Sequence, residues 1–418
     1  MKALFRGAMV YDMGRMIKAD MLFDGASLSV FEGEVSPMDS VPVFDNTVIL
    51  PGFCDVHVHL REPGFSYKET IESGTLASAR GGYTCVCSMP NLSPAPDSAE
   101  NLKLQLDLID KTACIRVIPY GTITVGEAGK ELSEMDRLAP HVAGFSDDGR
   151  GVQSEELMLS AMSRARALGK PIVAHCEDNS LLRGGYIHDG EYARAHGHRG
   201  ICSESEWGPI KRDIELVKRS GCSYHVCHIS TKESVELIRE AKASGIDITC
   251  ETGPHYILLD DSHLEEDGRF KMNPPLRSPE DREAILTGII DGTIDMIATD
   301  HAPHSAEEKS LGLEKSAMGV VGIETCFPLV YTYLVKPGII TMEKAVELLS
   351  VKPRERFGID GDAGFTVFRL DNSRPIDPCE FLSKGKSTPF LGTPVEAECL
   401  LTVYEGKAVY NNISKQSQ

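Results

Sequence analysis

Residues 52–91, GFCDVHVHLREPGFSYKETIESGTLASARGGYTCVCSMPN, contain one complete unit of strand, loop, helix and strand. The pattern predicts an apolar strand over 55–60, an amphipathic helix within 67–82 that ends on glycine, and a second apolar strand over 83–90. Two buried strands joined through a helix are typical of a parallel sheet. The stretch therefore predicts an α/β fold.

The same unit recurs along the middle of the chain. Helical patterns such as 154–169, 210–221 and 232–245 separate further apolar strands. Eight strands are predicted in all, at residues 55–60, 83–90, 115–123, 142–148, 171–178, 223–230, 246–253 and 294–301. Eight strands alternating with helices predict a (β/α)8 barrel of the TIM type.

The two chain ends show short strands and turns without a helical period. We expect residues 1–51 and 359–418 to meet in one small β-sandwich, with residues 52–358 as the barrel; two unrelated appendages are the alternative. The last five residues, SKQSQ (414–418), are expected to be frayed.

Composition excludes several classes of partner. The 418 residues include 43 Lys and Arg against 62 Asp and Glu, a net charge of −19, which repels nucleic acid and anionic membranes. An anionic substrate would therefore need a local cationic pocket. The sequence has no apolar run of about 18 residues and no apolar signal stretch at its start, so we expect a cytoplasmic protein.

The twelve cysteines form no CxxC pair and stand singly in apolar runs. We therefore expect buried free thiols rather than disulfides.

Histidines and aspartates stand where the predicted strands end, which in a barrel is the face that carries chemistry. Alternation along a strand points His57 and His59 the same way. Any one histidine could be an ordinary core or surface residue, but the set indicates a site. Imidazoles and carboxylates without thiolates suit zinc or a similar divalent ion. The set is His57, His59, Asp147 or Asp148, His175, His228 and Asp300.

Cys176 and Cys227 adjoin two of these histidines. By the same alternation, we expect both thiols to face the other way and pack between strand and helix.

Several motifs together resemble one known family. HLREPG, SMPN, AHCED, HIST and TDHAPH are similar to the amidohydrolase superfamily and, within it, to class I dihydroorotases. The resemblance covers nearly the whole chain and includes GFSDDG, KMNPPLR, MGVVGIET and STPFLG. HxH alone is shared by many hydrolases, whereas HLREPG with MPN and DHAPH is much more specific.

The resemblance implies a centre of one or two zinc ions. Asp148 is chosen over Asp147 because its place before Gly149 matches the family's ligand, and Asp147 is expected to face away. Asp300 would also act as general base and acid. The implied ligands are His57, His59, Asp148, His175, His228 and Asp300.

One feature departs from several relatives, which place a carboxylated lysine at the end of strand four. Residues 142–149, VAGFSDDG, contain no lysine, and Lys170 begins strand five at the wrong end of the barrel. We therefore expect an aspartate in place of the carbamate, as in the bacterial class I subgroup, and the number of metal ions stays open.

Substrate recognition is expected to be local and cationic. Arg61 stands two residues past His59 and can present a bidentate fork to a carboxylate. By resemblance, Arg61, Asn91 and His304 hold the carboxylate of dihydroorotate. Residues implied to contact the substrate further are His59, Asn273, Met318 and Gly319.

The leading hypothesis is a zinc-dependent enzyme that reversibly cyclises N-carbamoyl-L-aspartate to L-dihydroorotate in de novo pyrimidine (UMP) synthesis. A hydantoinase or allantoinase, whose substrates lack the ring carboxylate, is the alternative enzyme. A non-catalytic scaffold related to dihydroorotases is the alternative outside catalysis. Resemblance alone suggests a homodimer, and the main reaction direction stays open.

Residues 184–200 are predicted to form a long polar loop after strand five. We expect His188, His196 and His198 to be solvated or mobile there, rather than to form a second metal site.

Overall fold

The structure, a computed structural model, describes residues 2–33, 41–361 and 363–413 and is centred on a barrel of parallel strands. Each of the eight predicted strands is present, so the predicted barrel is confirmed. The third strand is in two pieces. The barrel strands, numbered here in chain order, are Phe53–Val58, Tyr83–Ser88, Arg116–Pro119 with Gly121–Thr122, Phe145–Ser146, Ile172–Ala174, Tyr224–Val226, Ile248–Thr252 and Met296–Ile297. The segment 414–418, predicted to be frayed, lies outside the described residues.

The strands close into a ring in sequence order. Every neighbouring pair is parallel, and the two pieces of strand three pair with strand two and strand four respectively. A parallel bridge between Val58 and His301 joins the first strand to the last. The His59 amide donates to the His301 carbonyl oxygen at 2.9 Å. The ring therefore brings the ends of all eight strands to one face.

Helices and turns connect the strands. Ser98, Ser154 and Thr231 each cap a helix, because their side-chain oxygens accept from a backbone amide of the first turn. The α-helices are Ile71–Arg80, Ala99–Thr112, Met135–Leu138, Glu155–Ala167, Glu191–His196, Glu204–Ser220, Lys232–Ala243, Pro254–Leu258, Pro279–Asp291, Ala306–Lys309, Gly312–Lys315, Cys326–Val330, Met342–Val346 and Lys352–Phe357.

Both chain ends contribute to one further sheet, as the expectation of a shared unit required. It joins strand Thr47–Pro51 from the start of the chain to Phe365–Arg369 from its end, antiparallel. A second layer, which would make this unit a sandwich, stays a prediction. The strands of the sheet are Ala3–Asp12, Arg15–Phe23, Leu28–Val30, Val43–Phe44, Thr47–Pro51, Phe365–Arg369, Glu398–Tyr404 and Lys407–Asn411.

An aromatic cluster links this sheet to the barrel. Phe368 of the sheet lies with its ring centroid 4.4 Å from that of Phe327 and 6.0 Å from that of Phe53 in barrel strand one. All three side chains are fully buried. The terminal sheet is therefore packed onto the barrel rather than attached by a linker alone.

The twelve cysteines are all free thiols, and nine are buried, which confirms the expectation against disulfides. Within the described residues, no helix is long and apolar enough to cross a membrane.

The aromatic cluster predicts a stability effect. Replacing Phe368 with Ala should lower the free energy of unfolding by about 3–5 kcal/mol, because it leaves a cavity between barrel and sheet. Phe368→Leu, which fills most of that volume, should cost roughly 1.5 kcal/mol or less. Denaturant unfolding of both variants measures the difference; equal midpoints for Phe368→Ala and the wild type would contradict the proposed packing.

Candidate active site

A cavity of about 220 Å³ opens at the face where the barrel strands end. Its lining includes eleven of the twelve predicted site residues. His57, the twelfth, is fully buried at the end of strand one, within 3.6 Å of Asp148 and Asp300. The structure therefore brings the whole predicted set together.

Asp148 stands between all four histidines. Its Oδ1 lies 3.5 Å from His57 Nε2, and 3.6 Å from both His175 Nδ1 and His228 Nε2. Its Oδ2 lies 3.5 Å from His59 Nε2. Oδ1 of this carboxylate thus faces three imidazole nitrogens, and Oδ2 faces the fourth.

Asp300 faces two of the same histidines, His57 and His59. Its Oδ1 lies 3.2 Å from His59 Nε2 and 3.6 Å from His57 Nε2. The ligand atoms of His57, His59 and Asp300 form one compact group, and those of His57, Asp148 and His228 form another. The two groups share His57 and lie side by side.

The donor set fits a divalent metal ion. His57 Nε2 and Asp148 Oδ1 are buried and have no hydrogen-bond partner among the described residues. Unpaired buried polar atoms are costly, and a shared cation would satisfy both. Imidazole nitrogens and carboxylate oxygens are ligands that zinc accepts.

Charge keeps both carboxylates ionised. Burial alone would raise the pKa of Asp148, but the charge of His57 and the nearby His175 and His228 hold it well below its usual value. Burial likewise opposes ionisation of Asp300, yet the hydrogen bond with His59 and the charge of His57 lower its pKa. The centre therefore presents two anionic groups to a cation.

Glu251, which the sequence analysis missed, orients the first histidine. Its Oε1 accepts from His57 Nδ1 at 2.6 Å, which leaves Nε2 free to face the carboxylates. Its Oε2 lies 3.1 Å from His225 Nε2. Despite burial, the charge of His57 and the hydrogen bond with His225 lower the pKa of Glu251 to about 2. A signal existed: Glu251 is a charged residue inside the apolar predicted strand 246–253.

Asn91 plays the corresponding part for the second histidine. Its Oδ1 lies 2.9 Å from His59 Nδ1, and its Nδ2 donates to Asp148 Oδ2 at 3.4 Å. Both ends of this amide therefore contact groups of the centre, while Asn91 also lines the cavity.

Cys227 corrects one expectation, whereas Cys176 packs among the strands and helices as predicted. The Cys227 thiol lies on the inner side, close to His57 and Glu251. Alternation fails here because His228 has a left-handed backbone with φ 31°. Asp300 also has a positive φ, of 45°. Such strained conformations occur where function fixes a side chain.

The residues set aside at strand four lie where expected. Asp147 accepts from the amides of Ile123 and Thr124, and from the Thr124 hydroxyl, so it faces away from the histidines. Lys170 donates to the Val142 carbonyl oxygen at 2.6 Å. Its ammonium is thus held at the start of strand four, away from the centre.

A second buried carboxylate, Glu206, fixes the loop that follows His228. It accepts from the amides of Ser230 and Thr231 at 2.9 and 3.1 Å, and from three hydroxyls of the same segment. Arg277 Nη2 lies 3.6 Å from Glu206 Oε2 and Nε donates to the Ser230 hydroxyl. Sequence reasoning found neither Glu206 nor Arg277.

Arg61, with the imidazole of His304 beside it, forms the cationic side of the cavity. Arg61 is 8% exposed, donates to the Pro303 carbonyl oxygen at 3.2 Å, and has Nη2 3.4 Å from His304 Nε2. Burial lowers the pKa of Arg61 to about 10, so it stays charged at neutral pH. Burial and the charges of Arg61 and Lys68 lower the pKa of His304 to about 3, so this imidazole is neutral.

Asn273 also lines the cavity. Its Nδ2 donates to Glu177 Oε1 at 2.8 Å, and Glu177 Oε2 lies 3.6 Å from His175 Nε2. Glu177, also missed from the sequence, therefore connects a predicted substrate residue to a predicted metal ligand.

The predicted loop 184–200 is more ordered than expected. It contains the parallel pair Ile187–His188 and Gly200–Ile201 and the helix Glu191–His196. His188 is 9% exposed because it packs against Arg277, which corrects the expectation of a solvated side chain. His196 is exposed, whereas His198 is partly buried and lies 2.7 Å from Glu266.

Comparison with known proteins gives one family. A sequence profile described as "Dihydro-orotase-like" matches residues 46–234. A protein of Shouchella clausii (strain KSM-K16) named Dihydroorotase is 52% identical over 378 residues, which are 88% of each chain. A Dihydroorotase of Bacillus cereus (strain AH820) is 46% identical over 99% of both chains.

Solved structures share the fold at lower identity. An L-hydantoinase (dihydropyrimidinase) from Arthrobacter aurescens superposes with a TM-score of 0.84 at 24% identity, covering 98% of this chain and 96% of the other. A dihydropyrimidinase from Brevibacillus agri NCHU1002 gives 0.81 at 22% identity, with 99% and 96% covered.

The Glu251–His57 contact predicts an effect on metal affinity. Glu251→Gln should weaken binding of a divalent ion by about 10- to 100-fold, because the His57 ring loses the carboxylate that fixes its orientation and basicity. Metal titration of the chelator-stripped protein measures this. Glu233→Gln, at a carboxylate on an outer helix, serves as the control; unchanged affinity in Glu251→Gln would show that Glu251 does not orient a ligand.

Proposed function

The chain belongs to the dihydroorotase family, and from this premise we propose that its pocket interconverts N-carbamoyl-L-aspartate and L-dihydroorotate with bound metal. This activity makes it a cyclic amidohydrolase of de novo pyrimidine synthesis. One observation carries the proposal: four imidazoles and two carboxylates converge on a cavity whose wall bears the Arg61 guanidinium.

We propose that the metal is zinc, held by the six predicted ligands, with Asp148 in place of a carboxylated lysine. Asp148 supports this assignment because its Oδ1 faces His57, His175 and His228 while its Oδ2 faces His59, so the carboxylate would help to hold one or two ions. The ligands are His57, His59, Asp148, His175, His228 and Asp300.

When bound, such an ion acidifies water and polarises the carbonyl oxygen of the ring amide. Asp300 supplies the proton transfer. Its carboxylate is ionised and lies at the cavity, so it can take the proton of the attacking water. The same carboxylic acid then delivers that proton to the ring nitrogen as the carbon–nitrogen bond breaks. Ring closure uses the two transfers in reverse.

Substrate binding is assigned to the part of the cavity wall that bears Arg61. Arg61 would form a bidentate contact with the ring carboxylate, supported by Asn91 and His304. His304 Nε2 now donates to the Met318 carbonyl oxygen at 2.7 Å, so it would share or exchange that bond. Residues proposed to contact the substrate further are His59, Asn273, Met318 and Gly319.

The alternatives fit less well. A hydantoinase or allantoinase would have no use for a buried, charged Arg61 in the cavity wall, and the likeness to hydantoinase structures concerns the fold alone. A non-catalytic scaffold typically lacks some of the metal-binding residues, whereas all six proposed metal-binding residues are present here.

Other features stay predictions of this proposal. They are a homodimer, a cytoplasmic location, and a division into a barrel of residues 52–358 and a β-sandwich of residues 1–51 and 359–418.

The Asp148 assignment predicts independence from carbon dioxide. Metal reconstitution of the stripped protein should restore full dihydroorotate hydrolysis without added bicarbonate, because no lysine must be carboxylated. Rates with and without bicarbonate, in degassed buffer, measure this. A strong bicarbonate requirement would mean that a carbamate, not Asp148, completes the centre.

The Arg61 assignment predicts a change of specificity. Arg61→Met should lower kcat/KM for dihydroorotate by about 30- to several thousand-fold, since loss of a buried charge-assisted pair costs about 2–5 kcal/mol. If dihydrouracil, which has no carboxylate, is turned over at all, the kcat/KM for it should fall far less. Steady-state kinetics with both substrates give the ratio.

Two controls accompany this test. Bound zinc should be unchanged in Arg61→Met, and Arg150→Met, at an exposed arginine close to the site in sequence, should behave as the wild type. An equal loss for both substrates would mean that Arg61 orders the pocket generally, and the carboxylate role would be abandoned.

A further inference from the structure

Lys309 has an unusual environment behind the cavity wall. Its ammonium donates to three backbone carbonyl oxygens, those of Lys271 at 3.0 Å, Ala317 at 2.8 Å and Gly319 at 2.7 Å. An ammonium has three donors, so all of them are used. The residue is 7% exposed.

This cation is not neutralised by an ion pair. In the described parts of the chain, no carboxylate lies within 4.0 Å of Lys309 Nζ. The charged and titratable groups that act on it are Lys271 and Asp267 on the preceding loop, Glu308 on its own helix, and His304 on the cavity side. Burial and the charge of Lys271 lower the pKa of Lys309 to about 7.

The three acceptors belong to the segments that shape the cavity. Gly319 lines the cavity and has φ 134°; a side chain there would lie 2.8 Å from the Ala302 carbonyl oxygen. Its amide donates to the Lys271 carbonyl oxygen, which Lys309 also binds. With His304 holding the carbonyl of Met318, three successive carbonyls, 317 to 319, are each held by a side chain.

We propose that Lys309 is a positioning residue for substrate binding: its ammonium fixes the wall formed by residues 317–319 and provides an unneutralised positive charge one residue behind it. This inference rests on the proposed function, because it requires an anionic ligand in the cavity. The anion and the buried ammonium stabilise each other, so ligand binding should raise the protonated fraction of Lys309.

The test uses orotate, a planar ring carboxylate related to dihydroorotate, with the metal-loaded protein. Calorimetric titration in buffers of different ionisation enthalpy measures the protons taken up on binding. At pH 7.5, Lys309 is partly neutral in the free protein, so the wild type should take up a fraction of a proton, and its affinity should fall as pH rises from about 7 to 9.

Two variants move this readout in different ways. Lys309→Arg keeps the positive charge but does not titrate in this range, so the share of proton uptake due to Lys309 should vanish and affinity should depend less on pH. Lys271→Met removes the neighbouring cation that lowers the pKa of Lys309 but keeps the backbone acceptor. Uptake should persist in Lys271→Met with its midpoint at higher pH.

Lys309→Met removes charge and donors together. KM for dihydroorotate should rise by about tenfold or more, with kcat changed much less and bound metal unchanged, because three carbonyls lose a charged donor. If this variant does not fold, Lys309→Arg and Lys271→Met still test the role of Lys309.

The outcomes separate the two proposals. Failure of the wild type to bind orotate or to turn over dihydroorotate would overturn the proposed function. Normal binding with the same proton uptake in wild type and Lys309→Arg would overturn the role of Lys309 alone. Smaller uptake in Lys309→Arg than in the wild type, with the shifted midpoint in Lys271→Met, would establish it.

Discussion

The site depends on one electrostatic constraint: a carboxylate, Asp148, is buried within 3.6 Å of nitrogen atoms from four imidazoles. Removing so many polar groups from water is costly unless each finds a partner. Hydrogen bonds within the described residues leave His57 Nε2 and Asp148 Oδ1 without a partner. A divalent cation between them would resolve the conflict, so the arrangement of the site fits a metal ion.

The meeting of the strand ends does not by itself determine the ring orientation of each histidine. Glu251 behind His57, and Asn91 behind His59, each bind the ring nitrogen that faces away from the centre. Glu206 does the equivalent for a backbone, since it holds the amides that follow His228. These contacts let His228 keep a strained backbone, because the neighbouring hydrogen bonds determine its conformation.

The barrel and the convergence of the histidines and aspartates could be predicted because both follow from local patterns. Apolar strands recur with a regular spacing, and each of these side chains stands at the end of a strand or a few residues after it. Glu206 and Lys309 carried no such signal, because their partners are brought to them only by the tertiary fold. Cys227 failed for a different reason: strand alternation stops at Val226, and the left-handed His228 turns the chain. The strands were also predicted to be longer than they are, because the polar residues that follow a strand resemble part of it.

The net charge of −19 and an anionic substrate are compatible because the two act over different distances. At physiological salt, charges more than about 8 Å apart are largely screened, so the acidic surface contributes little inside the cavity. There, His304 stays neutral because burial and the charges of Arg61 and Lys68 oppose its protonation, with Lys309 adding to them. The repulsion among the cations of this wall is reduced when an anion binds. A neutral ligand does not reduce it. The repulsion that keeps His304 uncharged therefore also favours a carboxylate-bearing ring over an uncharged one.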